Sequence, residues 1–401
     1  MTGDMSLTLI VLCVPAFLVA AAGLLAGLVF MSALSMPRVQ RSGTVTMILP
    51  LTGEAVGLAA LLRALEVQTL PARRLLICVE GRHDPAYARA LQLASTTSLP
   101  IEILIAGEAS DCAQKCCNQI AGLARIDARD EVVVLFDADI APPPWWLSAL
   151  ATPLLDGSAD IVTGYRWPLF AGQRFGAMPG VLLSSQLAAA IDRGIALLPR
   201  LAAFPVTWGG SLALSPRALE KLDAARLLGS TLSDDCSLGA QAAALGLRVL
   251  TRRALLVPTP ASGGLVALWR FGRRQYQIIR VYRPSLWWLA LLALSSRVTA
   301  WGVLMANFEQ GWARLATLAL LIFALLAVLI QALVGRRLGM ADPLAMTVLQ
   351  GLLALCKPLL DVFHWSLVLA AVDTRIIRWG HLAYRVAGPA QIAVMSRRRW
   401  G

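Results

Sequence analysis

The chain has 401 residues, of which 57% are hydrophobic and only 15% charged. About a quarter of a soluble globular domain is charged, so an ordinary water-soluble enzyme is excluded, and a disordered chain could not reach this hydrophobicity. The net charge is +12, mostly from arginine since Lys115, Lys221 and Lys357 are the only lysines; no basic–aromatic module accompanies it, so a lipid bilayer and not nucleic acid is the expected partner.

Residues 6–34 form an apolar run, preceded by Asp4 and lacking a cationic leader, which reads as a retained transmembrane helix. Pro37, Arg38 and Arg41 follow it, and cationic flanks favour the cytoplasm. From 44 to 258, short β-branched runs alternate with helix-like stretches, the pattern of an α/β domain on a mostly parallel sheet. Strands are expected at Thr44–Leu49, Leu75–Val79, Ile101–Ile105 and Val132–Phe136, with helices near 56–67 and over Gln114–Ala124. The unbroken hydrophobicity of Val132–Phe136 marks a fully buried strand. Phe175–Leu198, nearly uncharged, reads as a lipid-guiding ledge or as ordinary core.

Two further spans are expected at 286–307 and 313–335, returned by Arg336 and Arg337 to the cytoplasmic side. The apolar stretch 344–372 is interrupted by Lys357, Pro358, Asp361 and His364. It reads as a broken, re-entrant pair, because a single span would export the arginines of the tail. The resulting division is a transmembrane helix over 1–36, a cytoplasmic catalytic domain over 37–260, an interfacial arginine–aromatic helix over 261–285, spans over 286–372 and a basic cytoplasmic tail over 373–401. The seven cysteines are scattered without CxxC pairs, as expected of free thiols in a reducing compartment.

Ligands of open α/β sheets bind beyond the carboxyl ends of the strands. Glu80 and the pair Asp137 and Asp139 fall at two such ends. Asp137-Ala138-Asp139 sets two hard oxygen ligands close together, suited to Mg²⁺ or Mn²⁺ and through it to a nucleotide diphosphate. Asp234 and Asp235 open a helix, where a carboxylate both caps and is able to deprotonate an acceptor hydroxyl. Trp208, Gly209 and Gly210 are the expected acceptor side, small residues permitting close approach to backbone. The segment Trp269–Pro284 holds arginines for a membrane belt or for a diphosphate.

These residues resemble the membrane-bound family 2 and family 21 glycosyltransferases, nearest the ceramide glucosyltransferases and bacterial hopanoid-associated relatives. The similar stretches are Gly57-Leu58, Gln68–Pro71, Gln114-Lys115 with Asn118, Asp137-Ala138-Asp139, Gly209–Ser211, Ser233–Asp235, Arg283-Pro284 and the tail Thr374–Gly380 with Tyr384-Arg385. The resemblance implies a GT-A nucleotide-diphospho-sugar fold and inverting transfer from a UDP-sugar to the hydroxyl of a membrane lipid, ceramide-like, with Mg²⁺ or Mn²⁺ as cofactor. It assigns Asp139 with Asp137 to metal and diphosphate, Asp235 to the general base with Asp234 beside it, and Lys115 and Asn118 to the donor site. Either Glu80 or Asp84 takes the place of the family's uracil-contacting aspartate. The family's (Q/R)xxRW motif is altered: Arg270-x-x-Arg273 is followed by Arg274, and Gln277-x-x-Arg280 by Val281. Arg273, Arg274, Gln277 and Arg280 are therefore all candidate donor ligands. The competing expectations are a processive polysaccharide synthase and an inactive lipid- or nucleotide-binding scaffold. Arginine-, alanine- and leucine-rich usage points to a bacterial inner membrane protein.

Overall fold

The computed structural model describes residues 2–37, 42–170, 179–199, 206–260 and 263–400. Arg38 and Arg41 lie outside the described residues, as does the start of the Phe175–Leu198 stretch. In chain order the elements are α1 (Thr2–Ser32), β1 (Val45–Leu51), α2 (Leu58–Glu66), β2 (Arg74–Val79), α3 (Pro85–Ala94), β3 (Ile101–Ile105), α4 (Gln114–Leu123) and β4 (Val132–Phe136). Then come α5 (Trp146–Leu155), β5 (Ile161–Leu169), α6 (Pro179–Ala196), β6 (Ser211–Leu214), α7 (Pro216–Leu222), α8 (Ala224–Leu228), α9 (Asp234–Ala244) and β7 (Val249–Pro260). The chain continues with α10 (Leu265–Tyr282), α11 (Pro284–Ala306), α12 (Gly311–Arg337), α13 (Leu344–Leu355), α14 (Lys357–Ala370), β8 (Ile376–Trp379), β9 (Leu382–Gly388) and β10 (Gln391–Arg397).

The chain divides into two units, each discontinuous in sequence. The α/β unit comprises Ser35–Trp167, Arg200–Pro260 and Thr374–Gly401; the helical unit comprises Met1–Leu34, Pro168–Pro199 and Ala261–Asp373.

In the α/β unit a seven-stranded sheet has the order β3-β2-β1-β4-β6-β5-β7. Strands β1 to β4 are mutually parallel and β6 runs antiparallel to β4 and β5, so this is the expected mostly parallel α/β sheet. Every residue of β4 is buried, as a strand covered on both faces requires. On α2 the buried side chains are Leu58, Leu61, Leu62 and Leu65, the spacing that turns one helical face to the sheet. Strand β1 runs two residues beyond its expected end and includes Pro50. Its pairing with β4 covers only Val45–Ile48, so the N–H that Pro50 lacks is not needed on that side. Trp146 anchors the core, packing on Phe136 at 5.6 Å between ring centroids and donating its Nε1–H to Ser211 Oγ at 2.8 Å.

The segment expected as a basic tail forms a second, three-stranded antiparallel sheet, β10-β9-β8. Leu382, Tyr384 and Val386 are buried, the period-two face of a strand lying on a core.

In the helical unit α1 (from Leu9), α11 and α12 are long and apolar enough to cross a membrane. Helices α13 and α14 meet at 82°, at a point where Pro358 has no backbone N–H to continue the helix. Buried Asp361 of α14 bonds Arg297 at 2.6 Å, Lys357 at 2.5 Å and Trp301 Nε1 at 2.9 Å, tying the break to α11. Buried Arg193 of α6 pairs with Asp342.

Candidate active site

Strand β4 ends in the crevice with Asp137, and α9 begins there with Asp234. The link between them is Lys115, in the first turn of α4. Its Nζ lies 2.8 Å from Asp137 Oδ1 and 3.0 Å from Asp234 Oδ2. Burial works against the charge on Lys115, but Asp137, then Asp234 and Asp235, outweigh it and hold its pKa well above the usual lysine value. Two acidic pairs almost a hundred residues apart in sequence thus share one cation.

The two aspartates of α9 differ in what they have left to offer. Asp234 is buried, and its Oδ2 accepts both from Lys115 and from Gln119 Nε2 at 2.7 Å. Asp235 is half-buried: Oδ1 accepts from the Cys236 N–H at 2.7 Å and from Ser233 Oγ, and Oδ2 from the Gly209 N–H at 3.0 Å. A carboxylate offers about four lone-pair positions, so Asp235 keeps one for a further donor. Burial, then the neighbouring Asp234 charge, raise the Asp235 pKa, against the pull of Lys115 and of the bonds from Ser233 and Gly209. A carboxylate raised above its ordinary value and held by fixed donors is suited to accept a proton.

Gly209 lies close against this cluster, and a side chain there would displace it. A Cβ there would lie 2.8 Å from both Asp234 Oδ2 and Lys115 Nζ. Trp208 beside it packs against Tyr165, with ring centroids 6.1 Å apart, and its N–H donates to Thr163 Oγ1.

Asp139, three residues beyond the strand, keeps an exposed surface. The protein crowded round it, and then the Asp137 charge, raise its carboxyl above the ordinary value, while Arg166 and Lys115 oppose them. Four carboxylates here face Lys115 and Arg166, an excess of negative charge that fits a divalent cation held by Asp137 and Asp139. Another cluster, Glu80, His83 and Glu108, brings its ligand atoms within 4.8 Å of one another. There Arg397 already contacts both Glu80 and Glu108, so a guanidinium fills the role of cation.

The remaining donor-site candidates fall at a second corner of the same unit. Asn118 is buried and fully bonded: its Nδ2 donates to Leu51 O and Cys78 O, both at 3.0 Å, and its Oδ1 accepts from Gln114 at 2.9 Å. It stitches the ends of β1 and β2 together. Glu80 Oε1 pairs with Arg397, and His381 Nε2 lies 2.7 Å from Oε2, which has no hydrogen-bond partner among the described residues. Asp84 caps α3, its Oδ1 accepting from the Ala86 N–H at 2.9 Å and the Gly53 N–H at 2.8 Å, while its buried Oδ2 has no hydrogen-bond partner among the described residues.

Arg273, Arg274, Gln277 and Arg280 lie on α10, in the helical unit. Arg273 Nε donates to Ala370 O at 2.8 Å, Gln277 Nε2 to Asp373 O at 2.6 Å, and Arg280 to Val372 O. These side chains bond carbonyls at the C-terminal end of α14, the negative end of that helix. The sequence reading missed Gln119, Arg166, His381, Arg397 and Trp400. The period-two run Leu382-x-Tyr384-x-Val386 was the available sign that the tail is a strand.

The profile of glycosyl transferase family 21 matches residues 8–392. No curated protein matches the chain. Among solved structures, glucosyl-3-phosphoglycerate synthase from Mycobacterium tuberculosis, in complex with Mn²⁺, UDP and glucosyl-3-phosphoglycerate, is 17% identical. It covers 60% of this chain and 79% of its own, with a TM-score of 0.36. The same enzyme with Mn²⁺ and UDP-glucose is 18% identical, covering 60% and 78%, also with a TM-score of 0.36. At such TM-scores the fold rests on the sheet order and the family match.

Proposed function

Because the chain belongs to glycosyl transferase family 21, we propose that it transfers one sugar, with inversion, from a UDP-sugar to the hydroxyl of a ceramide-like membrane lipid. The observation that carries this reading is Lys115, which draws Asp137 and the Asp234–Asp235 pair into one cluster at the mouth of the sheet. A scaffold protein has no use for a carboxylate held like Asp235, with three donors fixed and one position open. Asp235 takes the proton of the acceptor hydroxyl; that oxygen attacks the anomeric carbon as the bond to the diphosphate oxygen breaks on the opposite side. Asp234, whose Oδ2 is taken by Lys115 and Gln119, orients Lys115. Asp137 and Asp139 hold Mg²⁺ or Mn²⁺, which when bound offsets charge on the leaving diphosphate. Asp84, with Oδ2 uncommitted, is the acceptor for the base N–H in preference to Glu80, whose Oε1 is paired with Arg397.

Three apolar helices support a membrane-embedded enzyme. Helix α11 leaves from the arginine-rich α10 and α12 returns to Arg336 and Arg337, with no cation in the Asn307–Gln310 turn between them. That asymmetry favours a cytoplasmic α/β unit, on the inner membrane of a bacterium. The test is UDP release by detergent-purified protein given Mn²⁺ or Mg²⁺, a panel of UDP-sugars, and ceramide, diacylglycerol or bacterial lipid extract. Lipid-dependent release abolished by EDTA is expected, with Asp139→Asn weakening metal-dependent UDP binding. No release and no UDP binding would sink the reading.

A further inference from the structure

Strands β8 to β10 form a strap across the carboxyl ends of β1, β2 and β3. Five residues fasten it within the α/β unit. Arg397 pairs with buried Glu80 after β2, and its Nη2 donates to Ala109 O at 3.0 Å. His381 Nε2 reaches Glu80 Oε2. Tyr384 OH accepts from the Gln114 N–H at 3.1 Å, and the Val394 N–H donates to Ser110 O at 2.8 Å. The fifth, Trp400, lies against His381 with ring centroids 4.6 Å apart. Its Cη2 lies 3.2 Å from where a Cβ on Gly53 would stand, in the turn after β1 where φ is +74°.

Gly53 is therefore touched from two directions, by Trp400 and by Asp84. Each of those side chains holds one buried polar atom that has no hydrogen-bond partner among the described residues. One is an acceptor, Asp84 Oδ2, and the other a donor, Trp400 Nε1. Leaving such groups unmade costs on the order of 1–3 kcal/mol each, so a pair beside one turn at the ends of the strands points to a ligand. Uracil supplies the complement: its imide edge sets an N–H donor between two carbonyl acceptors.

We infer that the strap is part of the donor site, with Trp400 walling the nucleobase pocket and donating to a base carbonyl, and with Arg397 clasping the strap to Glu80. Trp400 is then a specificity-determining residue supplied by a segment more than three hundred residues away from the turn it covers. The inference rests on the reading that the donor is a uridine diphosphate sugar. Trp400 and Asp84 divide the recognition, one reading a carbonyl and the other the N–H.

The test is binding of UDP and of ADP, whose base carries no carbonyl, to the full-length protein in detergent with Mn²⁺. Melting temperature serves as the fold control. Trp400→Phe keeps the ring and deletes the donor, so UDP affinity falls about fivefold, one hydrogen bond, while ADP affinity is unchanged. Trp400→Ala loses the stacking face as well, and UDP affinity falls by about a further tenfold. Arg397→Met shifts UDP binding in the same direction. A UDP-to-ADP ratio unchanged in both Trp400 variants would overturn the inference alone. Tighter UDP binding by Trp400→Ala would also overturn it, since the ring would then occupy the pocket. A wild-type protein that binds neither nucleotide would overturn the functional reading, and this inference with it.

Discussion

Each unit buries an aspartate against a lysine, and the two arrangements are opposite in sign. In the α/β unit one cation, Lys115, serves Asp137 and Asp234 with Asp235 and Asp139 beside them. In the helical unit one carboxylate, Asp361, serves two cations, Arg297 and Lys357, and takes a third bond from Trp301. The first cluster carries surplus negative charge, with Asp137 and Asp235 still partly open to the crevice. The second spends its single carboxylate on Arg297 and Trp301 of α11 and on Lys357 of its own helix. A surplus of open carboxylates is arranged for a cation and a proton; a carboxylate gripped by two cations and an indole N–H holds a helix break in place. Charged groups within membrane spans are costly and are retained for a role, and here that role is the junction of α11 with α14.

The sharpest test of this contrast is Asp235→Asn. Transfer should fall by about 10²–10⁴-fold, the usual worth of a positioned base, while UDP affinity stays within about twofold; a comparable loss of UDP binding would remove Asp235 from the base role. Because burial raises the Asp235 pKa, the acid limb of the wild-type transfer rate should lie above the ordinary carboxylate range, activity being lost as pH falls through that raised value. Lys115→Met should cost about 3–5 kcal/mol of stability by stranding partly buried carboxylates. Added Mn²⁺ should recover part of the lost melting temperature, and no recovery would argue against a metal between Asp137 and Asp139.

Asp361→Asn gives the reciprocal experiment. Removing the anion from Arg297 and Lys357 should lower the melting temperature, with kcat of the surviving folded enzyme within about twofold of wild type. A folded variant that has lost transfer would erase the distinction between the two clusters. The smallest effect belongs to His381, whose pKa burial lowers below the usual histidine value. The unfolded chain takes up a proton near pH 6.5 and the folded strap only at a lower pH, so stability is present above about 6.5 and lost as the pH falls below it. Melting of wild type between pH 7.5 and 5.5 should show this loss, and His381→Gln should flatten it.

Much of this was legible before any coordinates. Strand β4 was written in five consecutive apolar residues, and Asp137 follows from its end because a buried strand must surface where its hydrophobicity stops. Asp234 and Asp235 announced themselves as an acidic pair at a helix start, although no side chain caps that helix. The division of labour between them was not legible, since it depends on Gln119 and Lys115 reaching Asp234 from a different helix. Nor was the role of Glu80: its partner Arg397 is 317 residues distant, and no local pattern encodes a pairing over that span. The tail misled through composition. Its arginines resemble a cytoplasmic flank, and they masked an alternation that places Leu382, Tyr384 and Val386 on one buried face. Residues of α10 read equally as membrane belt or diphosphate clamp, because an arginine's charge does not say which carbonyl it will meet.

The clasp between Glu80 and Arg397 also imposes an order on biogenesis. Strands β1 to β4 leave the ribosome early and pair among near neighbours, whereas β10 emerges only after α10 to α14 have been made. The corner around Glu80 therefore stays open throughout membrane insertion and is completed afterwards, by a contact of very long sequence separation, the slowest kind to form. During that interval the strand ends of the half-built sheet are exposed. A chain stalled in the translocation machinery would present an α/β core already packed, yet without the clasp of Arg397 on Glu80.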